Sequence, residues 1–376
     1  MESPRVSFAP PPYPYERLAL IKQRAALHDG GAIECSIGTP CDPPAPAVLA
    51  SLAQGEGARG YPPSAGTAEY REAAGEWLRT RFALRETPSH VAACVGTKEF
   101  VASLAGYLHL KSPDRDLVLY PEVSYPTYAM GASLAGLRSR AVPLRGGTLD
   151  LAAVGEEEAG RALLLWTNSP SNPTGRLDDL GAAADWGRRH GVLVASDECY
   201  ADFTWASVPR SVLQHGVEGV LAVHSVSKRS NLAGVRAGFY AGDPDVVEYL
   251  RLVRQHAGLM VAAPVQSAVA VAYRDEEHVE LQRSRYQARL RRVREGLLAC
   301  GLECEEPEGS FYLWCRAEGY DGWSLATRLA EVAGLVTSPG EFYGSPDSGH
   351  VRVAVVQPDE RLELAATRLE ECSTDF

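Results

Sequence analysis

Lysine is nearly missing from this chain. Of 37 basic residues only Lys22, Lys98, Lys111 and Lys228 are lysine, so cations here are written as arginine and each primary amine needs a reason. The eight cysteines (Cys35, Cys41, Cys94, Cys199, Cys300, Cys304, Cys315 and Cys372) contain no C-x-x-C pair. Several stand in apolar runs, which points to reduced, buried thiols and away from a zinc or other metal site. No apolar stretch approaches the ~18–20 residues of a membrane span, and the opening "MESPRVSFAPPPYPYERL" has no signal-peptide core. The expected location is the cytoplasm, with no membrane partner. Basic blocks are also missing and the net charge is −11. That argues against a nucleic-acid surface and means that small anionic ligands need local cations.

What is present is a soluble, globular composition: 376 residues, 45% hydrophobic, 35 Gly and 25 Pro, enough for one large or two ordinary domains. From about residue 90, "HVAACVG", "LVLYPE", "RALLLWTN", "GVLVASDE", "GVLAVHSV" and "RAGFYAGD" read as strands buried on both faces. They alternate with helical stretches such as "TKEFVASLAGYLHL" and "LDDLGAAADWGRRHG", as in a mostly parallel sheet with helices on each side. After about residue 245 a long charged helix, "DEEHVELQRSRYQARLRRVREGLLACG", leads into "GSFYLWCRA" and "HVRVAVV", strands of a smaller α+β unit. The expected division is 1–45 as an N-terminal arm and part of the small domain, 46–250 as the large domain and 251–376 as the small C-terminal domain.

In a parallel α/β sheet, reactive groups gather at the carboxyl ends of the strands. Gly96-Thr97-Lys98, Glu122 to Tyr125, Asn168 to Gly175, Asp197 to Tyr200 and Ser225 to Lys228 all stand at such ends. Lys228 closes an apolar run, where a solvated cation is not expected. A lysine amine forms a Schiff base with an aldehyde once burial lowers its pKa, and arginine cannot do so. Asp197 of "SDECY" can hold a pyridinium nitrogen protonated, as pyridoxal 5'-phosphate requires, while Tyr200 and Asn172 offer donors to its phenolate oxygen. Gly96-Thr97-Lys98 opens a helix after a strand and suits a phosphate, with Ser225 and Arg236 adding a hydroxyl and a cation. Tyr125 is a candidate to stack on the ring.

The set "SNPTG", "SDECY" and "SVSKRSNLAGVRAGF", in this order and spacing, resembles the class I/II aminotransferases of PLP fold type I. The resemblance implies an aspartate-aminotransferase-like α/β fold: a large domain with a mostly parallel sheet and a smaller α+β domain. It implies Lys228 as the cofactor-bearing lysine and Asp197 at the pyridine nitrogen. Asn172 and Tyr200 would stand at the 3'-oxygen, and Ser225, Ser227 and Arg236 at the phosphate. Arg352 of "HVRVAV" would take the substrate α-carboxylate, with the backbone of Gly38 beside it. Tyr61 would reach a partner's phosphate across a homodimer interface. Segments from "SIGTPCDPPAP" to "GEFYG" are similar to actinobacterial N-succinyldiaminopimelate aminotransferases. That implies exchange of an amino group between glutamate/2-oxoglutarate and N-succinyl-LL-2,6-diaminopimelate in lysine biosynthesis. The arm reads "YPYERL" where that group has "FPWDTL", "SFYLW" stands for "GLYLW", and Val235 replaces a tyrosine.

Other readings stay open beside it: an aminotransferase of a specialised biosynthetic pathway, a PLP-dependent lyase or oxidase on the same fold, and a PLP-binding regulator. The regulator would need a DNA-binding partner domain, for which the short arm leaves no room. "SVSK" also matches the S-x-x-K acylation motif, but that class needs a K-T-G element, and the four lysines are followed by Gln, Glu, Ser and Arg.

Overall fold

The computed structural model describes residues 8–344 and 349–372. Its centre is a seven-stranded sheet of β1 (Val91–Cys94), β2 (Leu117–Pro121), β3 (Arg138–Val142), β4 (Ala162–Asn168), β5 (Leu193–Asp197), β6 (Val220–Ser225) and β7 (Gly238–Gly242), in the order β1-β7-β6-β5-β4-β2-β3. Only β7 is antiparallel to its neighbours.

The continuous apolar runs are explained by alternation between two cores. Val91, Ala93, Val220, Ala222 and Phe239 face one side with Trp77 and Phe82. Ala92, Cys94, Leu221, Val223 and Tyr240 face the other with Phe100 and Trp166. All six strand segments read from this part of the sequence are strands here, and the helices Thr97–Lys111 and Leu180–His190 stand where their patterns put them. β3 was not foreseen: "RSRAV" lies at the sheet edge with only Val142 buried, so its residues carry no burial signal.

A second sheet, β8 (Glu303–Cys304), β9 (Tyr312–Arg316), β10 (Ser338–Pro339) and β11 (His350–Ala354), runs in the order β8-β9-β11-β10 and is antiparallel throughout. It shares a core with the long helix Glu277–Ala299 and with Leu18, Ile21 and Cys35 of the N-terminal segment. Ile33 and Glu34 pair with Leu335 and Val336, which ties the arm to the small unit. The helix Ala263–Arg274 lies beyond the division expected at residue 250, yet its Ala268, Val269, Ala270, Ala272 and Tyr273 belong to the core of the large sheet. Among the described residues, no helix is long and apolar enough to cross a membrane.

The helix Thr97–Lys111, which starts at the site described below, packs on the helix Thr127–Leu134. A Cβ at Gly131 would stand 2.8 Å from the Val101 carbonyl oxygen, whereas one at Gly106 would meet only the Ala135 Cβ, at 3.6 Å. Opposite signs follow in denaturant unfolding. Gly131→Ala should cost about 1–3 kcal/mol by forcing the helices apart, and Gly106→Ala should gain about 0.5–1 kcal/mol of helix propensity.

Candidate active site

The ends of β4 and β5 are level, because Asn168 pairs with Asp197 in parallel register. Beyond β6 the chain makes a single turn, Val226–Arg229, in which Ser225 Oγ accepts the Ser227 N–H at 3.1 Å, and this presents Lys228. The inverted strand β7 supplies the next group. Gly238 pairs with both Cys94 and Ser225, so the residues ahead of it stand over the carboxyl ends of β1 and β6. Arg236 arrives there in a left-handed conformation, φ 55°, uncommon outside glycine. Gly96, at φ 76°, caps the helix Thr97–Lys111, and a Cβ on it would overlap the Arg236 guanidinium.

These elements and β11 enclose a cavity of about 390 Å³. Of the residues expected at the site, Gly38, Thr97, Lys98, Tyr125, Asn172, Asp197, Tyr200, Ser225, Ser227, Lys228, Arg236 and Arg352 line it together. Gly96 does not line it but directly precedes Thr97, and its Cα lies against the lining Arg236. Tyr61 does not line this cavity and is 97% exposed.

Lys228 Nζ donates to the carbonyl oxygen of Gly38. Burial, with the nearby positive charges of Arg352 and Arg236, pulls its amine down to about 8. Asp197 is buried and accepts from Tyr128 Oη at 2.9 Å and the Cys199 N–H at 3.3 Å. Burial raises its pKa even though these neutral donors oppose the rise. Arg352 is 1% exposed. It donates from Nη1 to Asn172 Oδ1 at 2.7 Å and from Nη2 to the Ser36 carbonyl, over the Tyr312 ring at 4.2 Å from the centroid. Among the described residues neither Arg352 nor Arg236 has a carboxylate partner, and Arg352 Nε has no hydrogen-bond partner.

Tyr128 and Tyr312 are not among the residues expected at the site, and the parts that Asn168 and Lys98 play are not assigned to particular contacts by the sequence. Asn168 fixes two strand-end loops at once, donating to the Asp197 carbonyl at 2.8 Å and accepting the Asn172 N–H at 2.7 Å. Tyr128, the contact of Asp197, stands three residues after Tyr125, and that one-turn spacing is the available signal. The Tyr312 and Tyr200 hydroxyls are 2.9 Å apart. Lys98 turns to the arm, its Nζ 3.3 Å from Tyr13 Oη and 4.9 Å from that ring's centroid. Glu122 takes no part, since it accepts the Leu144 N–H at 2.8 Å.

The sheet topology and this cleft define an α/β enzyme of the aspartate-aminotransferase-like fold. The chain belongs to the family described as aminotransferase class I and II, which it matches over residues 32–369, and it is a pyridoxal-phosphate-dependent aminotransferase. It is 40% identical over 369 residues to 4-dedimethylamino-4-oxo-anhydrotetracycline transaminase OxyQ of Streptomyces rimosus, covering 96% of this chain and 99% of that one. To the LL-diaminopimelate aminotransferase of Aquifex aeolicus it is 33% identical over 374 residues, 96% of each chain. The solved structure of a probable N-succinyldiaminopimelate aminotransferase from Thermus thermophilus superposes with a TM-score of 0.86 at 32% identity, covering 96% and 100% of the two chains.

The lowered amine of Lys228 gives a pH signature. In cofactor-free protein, its labelling by trinitrobenzenesulfonate should rise about tenfold per pH unit below about 8 and level off above it, as the neutral amine saturates. A free lysine side chain, with a pKa near 10.4, keeps gaining reactivity through this range. Peptide-resolved labelling rates between pH 6 and 10 make the comparison.

Proposed function

We propose that this enzyme moves an amino group between glutamate/2-oxoglutarate and a longer amino acid or ketone, with Lys228, Asp197 and Arg352 as its principal side chains. The observation that carries the reading is Arg352. A buried guanidinium without a counter-anion is costly, and here it shares one cavity with a lysine amine lowered to about 8. The residues fit pyridoxal phosphate. The Asp197 carboxyl, buried among neutral donors, suits a ring N–H cation. The Gly96 turn, the N-terminus of the helix Thr97–Lys111, Ser225, Ser227 and Arg236 suit a phosphate. Asn172 and Tyr200 supply donors between these two ends, and Tyr125 an aromatic wall.

Bound pyridoxal phosphate supplies an electron sink for negative charge at the substrate Cα. Arg352 would grip the α-carboxylate through its fork, beside the Gly38 backbone, and so fix the direction of the Cα–H bond. The Lys228 amine would take the proton from Cα and return it on the far side of the transfer. Tyr61, exposed on its own chain, fits the role of reaching a second subunit's phosphate in a homodimer.

N-Succinyl-LL-2,6-diaminopimelate is the leading second substrate. The Thermus thermophilus neighbour supports it, the Aquifex aeolicus relative supports a diaminopimelate skeleton without the succinyl group, and Lys98 is a cation on the cavity lining within reach of a distal carboxylate. A specialised pathway is the second reading. It is favoured by the OxyQ relative and by the arm, which sets Tyr13 and Tyr15 on the lining with ring centroids 5.5 Å apart, a surface suited to a flat, ring-bearing substrate.

A panel of amino donors and acceptors, assayed against 2-oxoglutarate and glutamate and ranked by kcat/KM, tests both. The leading reading expects succinyl-diaminopimelate at the head of the ranking, at least about tenfold ahead of unrelated amino acids (about 1.4 kcal/mol in transition-state binding). A polycyclic ketone at the head would establish the second. Failure to form 2-oxoglutarate from glutamate with every acceptor would contradict the proposal.

A further inference from the structure

Away from the cleft, the short edge strand β8 carries a thiol that faces another. Cys304 and Cys315 are direct partners across the antiparallel β8–β9 pair. Their sulfurs lie 2.7 Å apart, and the residues are 5% and 0% exposed. Residues directly opposite in an antiparallel ladder have Cα separations of about 4.5–5.5 Å, inside the range that a disulfide spans. We propose that Cys304 and Cys315 form a redox pair that closes to an intrachain disulfide when the enzyme meets hydrogen peroxide, clamping the base of the β8–β9 connection, which bonds across to the large unit.

The bond would act on a defined piece of structure. Loop 305–311, between β8 and β9, makes several of the hydrogen bonds by which the small unit meets the large one. Gly309 N–H donates to the Gly175 carbonyl at 2.8 Å, Ser310 N–H to that of Phe203 at 2.8 Å, and Trp205 Nε1 to that of Ser310 at 2.8 Å. The Glu308 carboxylate accepts the Leu177 N–H at 2.9 Å. Immediately after the loop comes Tyr312, against Tyr200 and Arg352. A Cys304–Cys315 bond fixes the β8–β9 pair below this loop, where the two residues already stand opposite each other.

Cys304 meets the oxidant first. It lies on the sheet edge, whereas burial, and then the neighbouring Cys304 sulfur, hold the Cys315 thiol well above its ordinary range. The Cys304 thiol gives up its proton as its sulfur attacks one peroxide oxygen, the O–O bond breaks, and the leaving hydroxide takes that proton, so that a sulfenic acid and one water result. The Cys315 sulfur then attacks the Cys304 sulfur. The S–S bond forms as the S–O bond breaks, and the hydroxyl leaves with the Cys315 proton as a second water. In sum, two thiols and one peroxide give one disulfide and two waters, a two-electron oxidation.

The test is made on the purified holoenzyme. It is treated with hydrogen peroxide, quenched with catalase, alkylated under denaturing conditions and mapped by mass spectrometry without reductant. The expected product is a linked peptide pair joining Cys304 to Cys315, lost on dithiothreitol treatment. The oxidised protein should melt about 3 °C or more higher, as expected for closing a short loop. That shift should vanish in Cys304→Ser and, as a second variant, in Cys315→Ala. Recovery of both cysteines as alkylated thiols, or as separate sulfinic acids, would overturn the proposal, as would a peroxide-induced Tm rise that persists in the two variants.

Discussion

Positive charge without a matching carboxylate is the constraint around which this cleft is organised. Lys228, Arg236 and Arg352 line one cavity, and its buried acid, Asp197, is engaged by Tyr128 and the Cys199 backbone N–H and by neither arginine. Arg352 is held in place by neutral groups: Asn172, the Ser36 carbonyl, the Tyr15 hydroxyl and the faces of Tyr312 and Tyr343. A guanidinium packed this way keeps its charge and geometry but lacks a counter-anion, which is the state that favours binding a carboxylate over water. Burial is the main reason that the Lys228 amine is lowered, and the charges of Arg352 and Arg236 add to it, so the cavity holds an uncompensated guanidinium and a lowered amine together.

The scaffold produces this convergence through one topological irregularity. A wholly parallel sheet would deliver the residues after β1, β4, β5 and β6 to its carboxyl edge and send those before each strand to the opposite edge. Because β7 runs the other way between β1 and β6, the segment before it reaches the same edge, and Arg236 stands beside Gly96. The small unit contributes Arg352 from β11 and Tyr312 from β9, strands paired in one ladder, and loop 305–311 bonds to the Gly175 and Phe203 carbonyls.

Much of this was legible in the sequence because it rests on local signals. Buried parallel strands announce themselves as uninterrupted apolar runs, so their polar ends are easy to find, and a lysine after such a run is conspicuous where lysine is scarce. The expectations that reached the cavity, from Gly38 to Arg352, were of this kind or came from the family resemblance. What stayed hidden depends on partners distant in the chain. β3 is an exposed edge strand without a burial pattern. Tyr312 matters through Tyr200, 112 residues away, and Asn168 matters through bonds to two loops. The helix Ala263–Arg274 is apolar in a way that either core could accept, and only packing assigns it to the large sheet. Tyr61 is exposed on its own chain, so its place depends on a second copy.

The central claim is that Lys228 is the one amine built to hold an aldehyde cofactor. Borohydride reduction of the purified enzyme, followed by proteolysis and mass mapping, addresses it directly, since only four lysines compete. The mass of the reduced pyridoxal phosphate should appear on the peptide containing Lys228 and disappear in Lys228→Ala. Label on Lys22, Lys98 or Lys111 in the wild-type protein, or covalent label retained by Lys228→Ala, would contradict the account.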